Sequence, residues 1–441
     1  MIWSAVARHR FHCESWLRNE YNDGAIHQES ESGGWLLRYF DLVCLAFSES
    51  GVEPPHSKNA IILPMATFTP KQRMLNAYRG LANDRPAVAP EFWYYFPAKL
   101  LGLDMIEFNR YPFHLALKQT FERYNCEGWG IAFAGKSPAD IEREGEEQWL
   151  DEYQVAHRTT AVTPYGPLTS SSIADRREPG WVTERWIKDV ERDLPAYEYM
   201  TLGADPAGID FGQAIKAWEE VGEAYLLEFY LGEGFFDYFA TACEGGLEAA
   251  TYHFFEYETE LERLHEHFTD FMVRKTRAVC ERTPFESLFI GCAWSCLSLI
   301  SPAMWRKWDK PVLTAICDEA HRHGRLVHLH NHGKCLELAA DFPEIGIDCV
   351  CPFERPPGGD VEGLAGLQQV AERLAGRTTM NGNIHTVETL IRGTEEDVRR
   401  EVREVLKAFD GNPRVIVGTG DQVGRETPEE NIRAMIEEAK G

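Results

Sequence analysis

From about residue 285 to the C-terminus, apolar runs and amphipathic stretches alternate five times with short links. This is the feature that most limits what the chain can fold into. "ESLFIGCAW" is followed by "SPAMWRKWDKPVLTAICDEAHRHG", in which Ser301 is an N-cap and Pro302 fits the first helical position. "RLVHLH" precedes "GKCLELAADFPEIG", and "IDCVCPFE" precedes "VEGLAGLQQVAERLAG". "RTTMNGNI" leads into a helical stretch with a capping box at Thr394 and Asp397. "PRVIVGTG" leads into "TPEENIRAMIEEAKG", where Thr427 and Glu430 have the same box spacing. Strand–helix alternation of this kind implies a parallel sheet with helices outside it. "PAVAPEFWYYFP" (Pro86 to Pro97) reads as a first strand, with about three further units' worth of chain between. The sum is an α/β chain, a (β/α)8 TIM barrel with an N-terminal extension.

The extension is residues 1–64, broken up by the polar stretch "NDGAIHQESESGG", and the barrel is residues 65–441. Met65 reads as the functional start, because a capped helix follows it: Thr69 as N-cap, Pro70 at N1 and Gln72 at N3. "HRTTAVTPYGPLTSSS" reads as a β-hairpin turning at Pro164 to Gly166, and "EPGWVTERWIKDVERDL" as a polar helix. Residues 201–280 read as mostly helical, and His253, His265 and His267 as surface or core-edge residues.

The net charge of -25 sets the chain against nucleic acid and anionic membranes and favours a small-molecule substrate or a protein partner. Eleven scattered cysteines, with no CxxC pair, read as reduced thiols of a cytoplasmic protein. No signal peptide and no spanning helix are read.

In such barrels the chemistry sits at the C-terminal ends of the strands. Those ends carry His330 and His332, then Glu354, then Asn383 and His385, then Asp421. Alternate residues of a strand share a face, so His330 and His332 point the same way, ~6.6 Å apart along the strand. Two imidazoles so placed can reach one cation, with Asp421 or Glu354 completing a three-ligand set and an open position left for substrate. His328, deeper in the strand, reads as a supporting or packing residue, and Asp360 as a cap for the helix after it.

"TPKQRMLNAYRG", "ISPAMWRKW", "HNHGK", "GIDCVCPFERPPGGDV", "NGNI", "GTEEDVRREV" and "GTGDQV…TPEENIRAM" together resemble the uroporphyrinogen decarboxylase superfamily. The likeness runs from Met65 onward, is strongest after Ser301, and implies a (β/α)8 barrel. It is closer to the branch of metal-binding, cobamide-dependent methyltransferases than to the decarboxylase itself. That branch carries a zinc-binding His-x-Cys-Gly and a later Gly-Cys. His330 takes the His position, His332 stands where the first Cys would be, and Asp421 where the second would be. Both thiolates are thus replaced, which implies a harder, more Lewis-acidic divalent ion, zinc being the family's metal. The paired arginines with which the decarboxylase grips its substrate have no counterpart near "APEFWYYFPAKLLG".

The resemblance therefore implies a metal-dependent enzyme performing methyl transfer or related Lewis-acid chemistry on a small substrate. His330, His332 and Asp421 would hold the metal. Glu354 would act as fourth ligand or general base, and Asn383 and His385 would orient substrate. Methyl transfer would require a corrinoid on a separate protein, and the outer helices allow a homodimer. The alternatives are a metal-free decarboxylase-like lyase and a non-enzymatic binding protein on a decayed barrel.

Overall fold

Eight short, largely buried segments form parallel strands. The structure is a computed structural model that describes residues 67–134 and 141–441. The expected extension and the start at Met65 lie outside the described residues. The first two barrel strands are β1 (Ala87–Ala89) and β2 (Trp129–Ala132). Four antiparallel strands follow: β3 (Glu142–Trp149), β4 (Gln154–Thr163), β5 (Gly166–Asp175) and β6 (Trp181–Glu184). The barrel then resumes with β7 (Leu226–Glu233), β8 (Ser287–Cys292), β9 (Leu326–Asn331), β10 (Cys349–Pro352), β11 (Thr379–Ile384) and β12 (Val415–Thr419).

The sheet order is β1-β12-β11-β10-β9-β8-β7-β2, every neighbouring pair parallel, which is the sequential order of a (β/α)8 barrel. Trp129 on β2 stacks on Phe289 of β8 at 5.1 Å and meets His328 of β9 edge-on at 5.0 Å. Strands two and three places apart in the sheet thus touch through the interior, which is a packed core rather than a pore. Among the described residues, no helix is long and apolar enough to cross a membrane.

The five expected C-terminal units are present. Ser301 caps Pro302–Trp308, and Thr394 and Asp397 form a capping box on Glu395–Ala408. Thr69 and Gln72 do the same for Pro70–Arg79, with Pro70 at the first turn. The hairpin turns where expected, with Thr163 opposite Gly166.

Four readings are corrected. The first strand covers only Ala87–Ala89, and Tyr95–Leu101 is a helix. The stretch read as one polar helix divides into β6, whose Trp181 and Val182 pair with β5, and a helix, Val190–Leu202, capped by Asp189. β7 lies inside the region read as helical. Its first five residues are almost all buried, and a strand buried on both faces shows no alternation to separate it from a buried helix. Finally, the last helix begins at Glu429 with Pro428 as its N-cap, so Thr427 does not cap it. Proline holds the residue before it out of the helical region, which moves Thr427 one place outward.

Candidate active site

The strand ends converge through β9. Its register sets His328 beside Cys349 and His330 beside Cys351, with Phe289 next to His328 on the other side. His328 and His330 therefore share the interior face. His332 follows the strand and is held at a tight turn. Gly333 has φ 66°, and a Cβ there would lie 2.7 Å from Ser298 Oγ and 2.8 Å from Cys296 Sγ, so glycine is required.

Glu354, just past β10, reaches back to this turn. Its Oε1 accepts from the Gly333 amide at 3.0 Å and lies 2.6 Å from His332 Nδ1. The loop after it folds directly over this carboxylate. A Cβ at Gly358 would meet Glu354 Oε2 at 2.4 Å, and one at Gly359 would meet the Glu354 carbonyl at 2.0 Å. Arg355 turns away to Glu404 and Glu401. Asp360 does not cap its own helix: its Oδ1 accepts from the amides of Cys335 and Leu336, tying the loop after β10 to the loop after β9.

The decisive contact is between the two histidines. His330 Nε2 and His332 Nε2 face each other at 2.6 Å, while each Nδ1 has another partner. For His332 that partner is Glu354. For His330 it is Cys351 Sγ, at 2.9 Å. His332, Glu354 and Asp421 offer ligand atoms all within 4.8 Å of one another, as do Glu91, His330 and Cys351. Of the expected set, His332 and Asp421 fall in the first group and His330 in the second, and the two groups meet at the His330–His332 contact. Asn383 and His385 bond elsewhere. Asn383 Nδ2 donates to the carbonyls of Phe353 and Val361, and His385 Nε2 donates to that of Pro356. His385 Nδ1 accepts from Val387 and Glu388. Both brace the loop that covers Glu354.

Three participants are not among the residues read from the sequence. Glu91, two residues beyond β1, is buried, and its amide donates to Thr419 Oγ1 at the end of β12. Burial first, then the charges of Asp421 and Glu354, push its carboxyl well above the usual range. The signal available is the one used for the other strands, an acid just past a strand end. Cys351 alternates with Cys349 in "CVC", and burial first pushes its thiol well up, so it remains protonated. Below them Glu228 on β7 lies 2.8 Å from His328 Nδ1, with Tyr78 Oη 3.0 Å from the same nitrogen and Ser287 Oγ donating to Glu228. On the far side, buried Asp237 accepts from the amides of Trp294 and Ser295, and Asp309 accepts from Phe236 N and Ser295 Oγ. Burial raises the Asp309 carboxyl to about 7.

Residues 233–441 match the uroporphyrinogen decarboxylase (URO-D) family model. Curated uroporphyrinogen decarboxylases from two strains of Thermus thermophilus are each 30% identical over 177 residues, 40% of this chain and 47% of theirs. The chain thus spans about half the length of the curated relatives it matches. A methyltransferase structure from Methanosarcina mazei superposes with a TM-score of 0.56 at 16% identity, covering 84% of this chain and 98% of that one. Residues 233–441 are thus similar to the uroporphyrinogen decarboxylase family, and the likeness to the methyltransferase structure is one of fold, a (β/α)8 barrel.

Proposed function

We propose that the protein is a metal-dependent enzyme of this superfamily, acting by methyl transfer or related Lewis-acid chemistry on a small substrate. The observation that carries the reading is the pair of imidazoles with Nε2 atoms face to face and each Nδ1 set against its own acceptor. An acceptor on Nδ1 fixes the tautomer and leaves Nε2 as the donor to a cation. The donor set fits a divalent ion. His330, His332 and Asp421 would hold it, and nitrogen and carboxylate donors suit zinc and other borderline or hard divalent ions. The gathering of Glu91, Glu354 and Asp421 around two imidazoles is costly without a positive charge among them. Such an ion, when bound, supplies a Lewis acid that polarises an oxygen or nitrogen of the substrate.

The chain's own residues do the rest. Glu354 holds the His332 ring through Nδ1–H and is a positioning acceptor in this arrangement. Asn383, His385 and the glycines of the loop hold Glu354 in place and limit water around it. If methyl transfer is the reaction, the corrinoid is carried by a separate protein. The fold likeness to a methyltransferase is consistent with this. The names of the Thermus relatives favour the second reading, a metal-free decarboxylase.

The test is metal content by plasma mass spectrometry on the wild type and on His330→Ala/His332→Ala. About one equivalent in the wild type, lost in the double variant, is the expected result. No metal in the wild type after reloading with zinc under reducing conditions overturns the reading and moves the search to carboxylated substrates.

A further inference from the structure

The sulfur of Cys351 sits between two imidazoles of the same strand, 2.9 Å from His330 Nδ1 and 3.1 Å from His328 Nε2. The register requires this arrangement, because Cys351 is the direct neighbour of His330 on β9 and points to the same interior face. At the bottom of the series Glu228, which already accepts from Ser287 Oγ, accepts the hydrogen bond of His328 Nδ1–H. With Nδ1 protonated, the neutral His328 ring presents Nε2 as an acceptor. The Cys351 S–H can then donate to it, and its sulfur lone pairs remain to accept His330 Nδ1–H. Each bond in this series fixes the direction of the next, and the last leaves His330 Nε2 without a proton, aimed at His332.

We infer that Cys351 is a positioning residue for the metal centre. It is the sulfur acceptor that sets the tautomer and ring orientation of His330, as Glu354 does for His332. It is not a metal ligand, although it lies with Glu91 and His330 in a group whose atoms are close enough to suggest one. Proton accounting decides between the two roles. A cation shared by the Cys351 sulfur and His330 Nδ1 would require the thiol to ionise and would leave the ring proton on Nε2, the nitrogen that faces His332. The positioning role requires no ionisation of either residue. The two histidine ligands are therefore oriented by unlike partners: a carboxylate near the barrel mouth, and a thiol that connects to the buried Glu228.

The inference rests on the reading of His330 and His332 as ligands, and the experiment separates the two. The full chain is freed of metal by chelation and titrated with cobalt(II) under reducing conditions. The dissociation constant, the equivalents bound and the near-ultraviolet absorption are recorded for wild type, Cys351→Ala and Cys351→Ser. The wild type is expected to bind one equivalent without a thiolate-to-cobalt band. Cys351→Ala should bind ~10–100-fold more weakly, the range for loss of an orienting partner. Cys351→Ser should recover most of that loss, because a hydroxyl also donates and accepts. Thermal unfolding of the metal-free variants shows whether the alanine change merely loosens the fold. If it does, Glu228→Gln gives an independent test, because it weakens the same series from its far end and should lower affinity in the same direction. An alanine variant within about twofold of wild type overturns the positioning role and leaves the metal reading standing. A thiolate band lost in both variants overturns it in favour of sulfur ligation. No cobalt bound by the wild type overturns both.

Discussion

His328 and His332 lie on the same side of one strand and its extension, and each pairs through Nδ1 with a glutamate, at 2.8 Å and 2.6 Å. The lower pair is sealed, with both side chains 0% exposed. The upper pair is 7% and 11% exposed and lies beneath a loop. Below, both nitrogens of His328 are engaged within the barrel, by Glu228 and Cys351. Above, Nδ1 of His332 is engaged and Nε2 is directed at a second imidazole. The same residue pair is thus part of the core at one depth and part of a site at the next. What separates them is where the second ring nitrogen points.

The comparison can be broken most severely from below. His328→Ala leaves Glu228 without its imidazole in the core, and losing one partner of a buried pair costs about 3–5 kcal/mol. Urea unfolding of the metal-free protein should show this loss, and adding Glu228→Gln should return part of it. Equal stability of His328→Ala and wild type would refute the structural assignment of the lower pair.

A buried acid with no imidazole partner sharpens the contrast. Asp309 is supported by the Phe236 amide and the Ser295 hydroxyl, and its carboxyl is raised by burial from 3.8 to about 7. The folded state therefore holds this proton more tightly than the unfolded chain does. Its contribution is fully present below pH 3.8 and is lost as pH rises through 7. Across that window it should cost on the order of 4 kcal/mol of unfolding free energy. Asp309→Asn should flatten this part of the profile, measured as the difference between wild type and variant in urea titrations at several pH values. Parallel profiles would count against it.

The smallest effect tests the upper pair. Glu354→Gln keeps the side-chain shape and an acceptor oxygen but removes the charge. It should weaken zinc binding by ~10–100-fold with little change in the stability of the metal-free chain. A large stability loss instead would make the upper pair as structural as the lower one.

The sequence is most readable where local and global signals coincide. From Ser287 to Lys440 each strand is followed by a helix, and two of those helices begin with Ser301 and Thr394 as caps, so strand ends and the residues on them can be placed by inspection. His330, His332, Glu354 and Asp421 are found in this way. Between Trp129 and Leu226 the alternation is interrupted by the antiparallel strands β3–β6, and β7 is a buried apolar run with no period. Glu91 escapes notice because β1 is three residues long and its chain continues into aromatic residues that become a helix. Cys351 escapes it because its role depends on lying beside His330, and strand register is a tertiary property. Asn383 and His385 read as substrate-orienting residues from their strand ends, but their side chains bond to loop backbone, which position along the chain does not disclose.

The pairing of β1 with β12 also bears on when the site comes into being during synthesis. Glu91 is translated early, yet its amide is held by Thr419, 328 residues later, and its charged neighbour Asp421 follows two positions after that. Until that last strand has emerged and docked, the ribosome carries a chain whose His332 and Glu354 have no Asp421 beside them. Contacts of such long sequence separation form late and slowly. The growing polypeptide is thereby kept from gathering these strand-end residues while it is still being made.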